Sequence, residues 1–166
     1  MGLEIERRFL VLGEAWRALA GPPQPFRQGY LVSGELGFTV RVRIQAREQA
    51  WLTLKAPAEG IARHEFEYPI PLLDAESLWE LAADRLVKTR FCLQRGGGDW
   101  VVDCFEQANA PLVLAEVELP CSDAPLQLPE WCGEEVTGRP QFSNALLAST
   151  PMTAWSEAER RIYGLD

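Results

Sequence analysis

The chain has 166 residues, enough for one domain with a substantial core and too few for two domains of typical size. Its 47% hydrophobic and 24% charged residues are ordinary for a globular protein, so extensive disorder is excluded. The net charge of -8 excludes a general binder of nucleic acid duplexes, and no apolar run approaches the roughly 20 residues that span a membrane.

The cysteine and histidine content predicts the compartment. The four cysteines are irregularly spaced without a Cys-x-x-Cys pair, and the one histidine, His64, cannot complete a familiar zinc site. The N-terminus carries acids instead of the basic and apolar regions of a secretory signal. We therefore expect a cytoplasmic protein with reduced thiols and no membrane partner.

The first predicted strand begins at Glu4 and runs to Val11. Successive side chains of a strand alternate between faces, so Glu4, Glu6 and Arg8 share one face. Carboxylates bind hard cations, and a guanidinium group can bind phosphate through two parallel hydrogen bonds. This face suits a metal ion together with an anionic ligand, although a solvated edge strand shows the same pattern.

Further elements are predicted from alternating polarity and from turn and cap signals. After the first strand come a short helix over 12–20 and strands over 26–32, 39–45, 51–55 and 63–69. A helix capped by Asp74 extends to about Leu86, and strands follow over 86–92, 100–105 and 112–119, with a glycine-rich hairpin turn at 96–99. A helical tail over about 143–166 has predicted caps at Ser143-Asn144 and Ser156. Its closing segment, 152–166, either plugs one mouth of a tunnel formed by the strands or decorates the surface.

The charges on the polar faces of these strands recur as pairs two residues apart. The acid pairs and the bases are Glu4/Glu6, Glu65/Glu67, Glu116/Glu118, Arg41/Arg43, Lys88/Arg90 and the single Lys55. One interpretation is an antiparallel sheet with one solvated face, on which acids and bases pair across strands. The other is a barrel with polar faces inside and apolar faces covered by helices. Because unpaired buried charges are unfavourable, such an interior would hold Mg²⁺ or Mn²⁺ and a chain of phosphates, which predicts metal-assisted hydrolysis.

These charges belong to an ordered series of motifs. The motifs are Glu4-x-Glu6-x-Arg8, Arg27-Gln28-Gly29-Tyr30-Leu31, Thr39-Val40-Arg41-Val42-Arg43, Thr53-Leu54-Lys55, Arg63-x-Glu65-Phe66-Glu67, Lys88-Thr89-Arg90 and Glu116-Val117-Glu118. From about residue 3 to residue 148 the chain thereby resembles the CYTH superfamily, the triphosphate tunnel metalloenzymes. The resemblance implies an α+β, mainly β fold: an eight-stranded antiparallel closed barrel that forms a tunnel, with peripheral helices, as a single domain over 1–166.

The resemblance also implies roles for individual residues. The metal ligands would be Glu4, Glu6, Asp103, Glu116 and Glu118. The phosphates would be held by Arg8, Arg41, Arg43, Lys55, Lys88 and Arg90. Tyr30 would accept a proton or position water, and Glu65 and Glu67 would share metal binding or water activation. Together with Arg8, these last three are the candidate catalytic residues.

Arg8 departs from the family signature, Glu-x-Glu-x-Lys. Arginine keeps the positive charge and grips phosphate better than lysine, but with a pKa above about 12 it cannot act as a base. The expected substrate is inorganic tripolyphosphate, with class-four adenylyl cyclase and thiamine triphosphatase as alternatives. If the family lysine must lose a proton, a binding module for polyphosphate or nucleotide without turnover is the remaining alternative. Tryptophans such as Trp16 and Trp79 leave a homodimer open.

Overall fold

The computed structural model describes residues 2–34, 36–95 and 98–165. Within them, nine strands form one antiparallel sheet: β1 (Leu3–Val11), β2 (Gln24–Ser33), β3 (Thr39–Gln45), β4 (Gln49–Pro57), β5 (Ala62–Pro69), β6 (Asp84–Cys92), β7 (Asp99–Phe105), β8 (Val113–Glu118) and β9 (Cys132–Glu135). The strand order is β5-β4-β3-β2-β6-β7-β8-β1, and β5 also pairs with β1. The first eight strands therefore close into a barrel, as predicted. The ninth, β9, pairs with the C-terminal part of β1.

The predicted alternation of strand faces is confirmed, and β3 shows it well. Arg41 and Arg43 face a cavity inside the barrel. Val42 and Ile44 face outward and are buried beneath the helix α1 (Leu72–Leu81). Burying one such aliphatic side chain contributes about 1.5–3 kcal/mol. The outer layer therefore stabilises the barrel, while the inner faces are left to charged residues.

One end of the barrel is filled by hydrophobic side chains. Leu10 of β1, Leu86 of β6 and Leu114 of β8 are all buried. Each is two positions along its strand from a charged residue that faces the barrel interior. They belong to the same cluster as Phe142 and as Met152 of the tail. The C-terminal segment thus packs against this apolar end, while the charged residues line the rest of the interior.

The helix boundaries differ from the sequence prediction. Asp74 is not the N-cap of α1, because the helix begins at Leu72 after Pro71 and Asp74 lies in its first turn. Proline lacks an N–H and has a fixed φ, which makes it a natural start for a helix. The helix also ends at Leu81, and Leu86 belongs to β6. The predicted helix over 12–20 is a short 3₁₀ turn at 15–19.

The tail contains two short helices, α2 (Asn144–Ser149) and α3 (Glu157–Ile162). Both predicted caps are confirmed: Ser143 caps α2, and Ser156 forms a capping box with Glu159 in α3. None of the described helices has the length and apolarity needed to cross a lipid bilayer. Strands β6 and β7 are antiparallel neighbours, but the turn predicted between them falls largely on Gly96 and Gly97, outside the described residues.

Helices do not cover the whole outer surface, contrary to the prediction. On β5, Phe66 is 47% exposed and Tyr68 is 55% exposed, and His64 stacks on Phe66. The helix α1 packs on β2, β3 and β4 instead. Trp16 and Trp79, which sequence reasoning offered as dimer contacts, are buried within the chain and so cannot anchor a partner.

Candidate active site

A cavity of about 210 Å³ lies inside the barrel. Ten of the residues predicted for the site line it: Glu4, Glu6, Arg8, Arg41, Arg43, Lys55, Glu65, Arg90, Glu116 and Glu118. They come from β1, β3, β4, β5, β6 and β8. Closure of the sheet therefore brings acids and bases from distant parts of the chain to one enclosed space.

Four predicted residues lie outside this wall. Tyr30 is 5% exposed, pairs in register with Arg41 on the neighbouring strand and is not among the residues that line the cavity. Glu67 lines an outer cavity instead. Lys88 and Asp103 are each fully buried and bind one another, with 2.5 Å between Lys88 Nζ and Asp103 Oδ2. The structure does not bring these four side chains to the inner cavity.

The guanidinium group of Arg41 points most clearly to an anion. Its side chain is only 4% exposed, and its Nε and Nη2 have no hydrogen-bond partner among the described residues. The Oε2 atom of Glu67 lies 4.0 Å from Nη2, beyond hydrogen-bonding distance. Buried N–H groups without acceptors are unfavourable, so Nε and Nη2 of Arg41 suit a bound anion in the cavity.

Two further arginines stand near Arg41. The Nε atom of Arg43 donates a hydrogen bond to Gln28 Oε1 at 3.0 Å, which orients its guanidinium group. Burial, followed by repulsion from Arg41 and Arg90, lowers the pKa of Arg43 to about 10. Like charges thus crowd together at this side of the cavity, and negatively charged oxygens between them would relieve the repulsion.

Carboxylates crowd the strands β1, β7 and β8 in the same way. Glu118 lies opposite Glu6 on β1 and opposite Asp99 on β7. Burial, then Asp99 and Glu6, raise the pKa of Glu118. Burial, then Glu6, raise the pKa of Glu4 to about 7, although Lys55 Nζ lies 2.5 Å from its carboxylate. Burial and like-charge repulsion therefore outweigh the attraction of Lys55, and this wall favours a cation.

Arg8 is held on three sides by groups of the chain itself. It contacts Glu6 at 2.8 Å and Glu116 at 3.1 Å through Nη2. Its Nη1 donates to the backbone oxygen of Phe142 at 2.7 Å. The guanidinium group thereby links two cavity carboxylates to the C-terminal segment, which a lysine ammonium could do less well.

A buried ion-pair network next to the cavity supports Arg90. Asp103 contacts Arg90 Nε at 2.8 Å as well as Lys88, and Arg90 also contacts Glu116 at 3.1 Å. Burial and the nearby Arg90 lower the pKa of Lys88 to about 7. Although burial alone would raise it, Arg90 and Lys88 hold the pKa of Asp103 below its usual range. Asp103 therefore fixes the position of Arg90.

An outer cavity of about 460 Å³ adjoins the inner one. The two share Glu4, Glu65 and Glu118, and the outer one also includes Glu67. Strand β5 pairs with β1 only as far as His64. The outer cavity lies beside the part of β5 that follows His64. The open side of the site is therefore acidic.

Sequence reasoning missed three residues of the inner wall, Asp99, Val101 and Asn144. Asp99 and Val101 lie four and two residues before Asp103 on β7, so the alternation of that strand would have found them. Asn144 was regarded only as part of a helix cap, and its exposure to the cavity depends on tertiary packing that no local pattern shows.

The acidic side chains are not already grouped around one point. Within residues 2–34, 36–95 and 98–165, no set of three or more His, Cys, Asp or Glu side chains forms a ready metal site. The donor chemistry nevertheless fits a hard cation, because Asp99 and Glu6 repel Glu118 more strongly than Lys55 attracts it. Binding of a metal ion would draw these carboxylates together.

Comparisons with known proteins agree with this geometry. The CYTH domain family matches residues 2–146. The chain is 39% identical over 159 residues to an inorganic triphosphatase of Acetivibrio thermocellus, covering 95% of this chain and 100% of that protein. It is 37% identical over 153 residues to an inorganic triphosphatase of Nitrosomonas europaea, covering 87% and 96% of the two chains.

Solved structures show the same fold. The crystal structure of the inorganic triphosphatase NE1496 aligns with a TM-score of 0.63 and 34% identity, covering 87% of this chain and 93% of that one. A conserved hypothetical protein of Pyrococcus furiosus aligns with a TM-score of 0.59 at 15% identity over 73% and 81% of the two chains, which supports the fold alone. Since the domain match spans most of the sequence and the similar triphosphatases align along nearly their whole length, this chain belongs to the CYTH family.

Proposed function

We propose that this chain is a metal-dependent hydrolase that cleaves inorganic tripolyphosphate into pyrophosphate and phosphate inside the barrel. The observation that carries the proposal is the buried guanidinium group of Arg41, whose Nε and Nη2 lack a hydrogen-bond partner among the described residues, in a cavity lined by both cations and carboxylates. The similar proteins named inorganic triphosphatase support the same substrate.

The size of the inner cavity favours a triphosphate without a large organic group. Its volume of about 210 Å³ is below the roughly 300–1,000 Å³ typical of sites for drug-sized ligands. A nucleoside or thiamine group would have to extend into the outer cavity, where exposed Phe66 and Tyr68 border the carboxylates. Inorganic tripolyphosphate needs no such space, so we favour it over ATP and thiamine triphosphate.

The arginine cluster would bind the phosphate chain. Arg41, Arg43 and Arg90 offer planar donor groups that match phosphoryl oxygens in pairs. Gln28 holds Arg43 and Asp103 holds Arg90, so these two arginines need little reorganisation when negative charge moves during phosphoryl transfer. We therefore assign these three residues to substrate binding and transition-state stabilisation, with Lys88 and Asp103 supporting Arg90.

The acidic wall would hold Mg²⁺ or Mn²⁺ through Glu6, Asp99, Glu116 and Glu118, with Glu4 nearby. When bound, such an ion polarises phosphoryl oxygens and stabilises developing negative charge. Arg8 would keep Glu6 and Glu116 oriented toward the cavity. In this arrangement the residue at position 8 is a brace and does not need to lose a proton.

The attacking water would be oriented by the acids of β5. Burial alone would raise the pKa of Glu65, but Lys55, 2.7 Å away, holds it below its usual value. Glu65 therefore stays ionised and can accept a hydrogen bond from water, and Glu67 stands next to it at the outer cavity. Tyr30 would act through Arg41, with which it pairs in register on the neighbouring strand.

The compartment proposed from the sequence is the cytoplasm. All four cysteines are free thiols in the structure, as is usual for proteins of a reducing compartment.

One assay tests the proposed reaction. Purified protein is incubated with tripolyphosphate, ATP or thiamine triphosphate, with Mg²⁺, with Mn²⁺ or with a chelator, while phosphate and cyclic AMP are followed. We expect metal-dependent phosphate release from tripolyphosphate and much slower turnover of the other two. Metal-dependent binding without turnover would contradict the proposal and favour a binding module, and cyclic AMP formation would favour a cyclase.

A matched variant links the reaction to the acidic wall. Glu4→Gln should abolish metal-dependent turnover because it removes a carboxylate from the cavity, and circular dichroism should show the fold unchanged. Glu76→Gln changes the same chemical group on α1, where Glu76 pairs with Arg27 outside the barrel, and should leave turnover within about twofold of wild type.

A further inference from the structure

Asn144 lies at the inner cavity on a well-anchored segment. It is the first residue of α2 and lines the cavity. Before it, the backbone oxygen of Phe142 accepts a hydrogen bond from Arg8 at 2.7 Å. After it, the backbone oxygen of Leu147 accepts a hydrogen bond from Asn109 at 2.8 Å. The backbone on both sides of Asn144 is therefore fixed.

The Asn144 side chain has an unused acceptor. Its Oδ1 atom is buried and has no hydrogen-bond partner among the described residues. Ser143, and not Asn144, caps the helix by accepting a hydrogen bond from the Leu146 N–H. The other polar residues described in the cavity wall are all charged, so Asn144 contributes its neutral amide. A buried amide oxygen without a donor is unfavourable unless a ligand supplies one.

We infer that Asn144 is a substrate-binding residue that fixes the position of the triphosphate in the cavity. Its Nδ2 donates a hydrogen bond to a phosphoryl oxygen, and its Oδ1 accepts one from a water molecule bound beside the phosphate chain. Because the amide is neutral, it makes both contacts without altering the balance of charge in the cavity. This inference rests on the proposed triphosphatase function.

Three variants separate ligand binding from helix stability. Asn144→Ala removes both contacts, and Asn144→Asp keeps the size of the side chain but places a negative charge beside the phosphates. Leu146→Asp adds the same charge in the same helical turn, on a side chain that is 38% exposed and lies outside the cavity wall. Calorimetry measures the Kd for tripolyphosphate, steady-state kinetics give KM and kcat, and thermal unfolding gives Tm.

We expect Asn144→Ala to raise the Kd and KM about tenfold, the factor for one hydrogen bond to a charged group, with Tm unchanged. Asn144→Asp should weaken binding further, and Leu146→Asp should leave Kd and KM unchanged. If Asn144 only supported the helix, Asn144→Asp would be stable and bind normally, since an acid in the first turn is favourable.

The outcomes also separate this inference from the proposed function. Wild-type turnover of tripolyphosphate with normal Kd and KM in Asn144→Ala and Asn144→Asp would overturn the role of Asn144 alone. Failure of wild-type protein to bind tripolyphosphate would overturn both. A drop in Tm with unchanged binding in the folded fraction would also contradict the inference.

Discussion

Arg41 is the residue whose substitution should damage the reaction most directly. Arg41→Gln removes a buried guanidinium group whose Nε and Nη2 have no acceptor among the described residues. Loss of its hydrogen bonds to a charged ligand should cost about 1.5–3 kcal/mol, and kcat/KM for tripolyphosphate should fall roughly ten- to hundredfold. Steady-state kinetics check this.

Arg27→Gln is the matched control for Arg41→Gln. Arg27 pairs with Glu76 of α1 outside the barrel, with Nη1 3.0 Å from Oε2. Its replacement should change kcat/KM less than twofold. Equal losses in the two variants would show that Arg41 acts through general stability instead of ligand binding.

The role of position 8 is open to a direct test. Arg8→Lys should retain turnover but lower the free energy of unfolding by about 1–2 kcal/mol, because a single ammonium cannot keep all three contacts of the guanidinium group. Urea unfolding and kinetics measure the two effects. A large rise in kcat, with a new pH dependence of kcat at basic pH, would contradict a purely structural role of Arg8. It would indicate that the family lysine acts as a base.

The raised pKa of Glu4 predicts a pH dependence of stability. Its pKa is about 7 in the folded chain, against an ordinary value of 4.5 for a glutamate side chain. Between these values the folded state keeps a proton that the unfolded state has lost, so the free energy of unfolding falls as pH rises from about 4.5 to 7. The contribution is on the order of 3 kcal/mol.

Urea unfolding in a chelating buffer measures this contribution as the difference between wild type and Glu4→Gln. The variant should lose that part of the pH dependence, because glutamine does not titrate. Identical pH profiles for the two proteins would show that Glu4 titrates normally in the folded chain.

At the scale of elements, Asn109 joins the barrel to the C-terminal segment. Its Nδ2 donates to the backbone oxygen of Leu147, and its Oδ1 accepts from the backbone N–H of Met152, both at 2.8 Å. Asn109→Ala leaves both backbone groups unsatisfied and should lower the free energy of unfolding by about 2–4 kcal/mol. Ser149→Ala, at an exposed position of α2, should lower it by less than about 0.5 kcal/mol.

Hydrogen exchange locates the effect of Asn109→Ala. Amides of α2 should exchange faster in the variant, while those of β3 stay protected, because only the segment that Asn109 anchors is released. Uniformly faster exchange over the whole barrel would contradict a local anchor.

The strands were predicted well because one face of each is charged and the other apolar. That alternation located β1 and β3 and also their inward residues, including Arg41 and Arg43. Both ends of helix α1 were predicted poorly, because Asp74 and Leu86 fit a helical pattern in the sequence. At the C-terminal end, the pairing of β6 with β2 takes Leu86 into a strand. A local sequence pattern does not show the stabilisation that comes from pairing with a strand distant in sequence.

At the scale of the whole molecule, the sequence predicted a barrel with a charged interior but could not show how far the charge extends. Inward faces of β1, β6 and β8 change from charged residues to Leu10, Leu86 and Leu114 at one end. Which inward residues line the cavity and which are buried beside it, as Lys88 and Asp103 are, also depends on barrel closure and not on strand alternation.

The positions of the two lysines allow the cavity to be followed by selective chemical modification. The chain has two lysines, Lys55 and Lys88; Lys88 is fully buried, while Lys55 lies in the cavity wall. Apart from the α-amino group, an amine-directed reagent small enough to enter should therefore modify Lys55 alone in the folded protein. Bound tripolyphosphate should protect it, and peptide mass spectrometry would report occupancy of the cavity without any turnover; labelling of Lys88 at the same rate would contradict this.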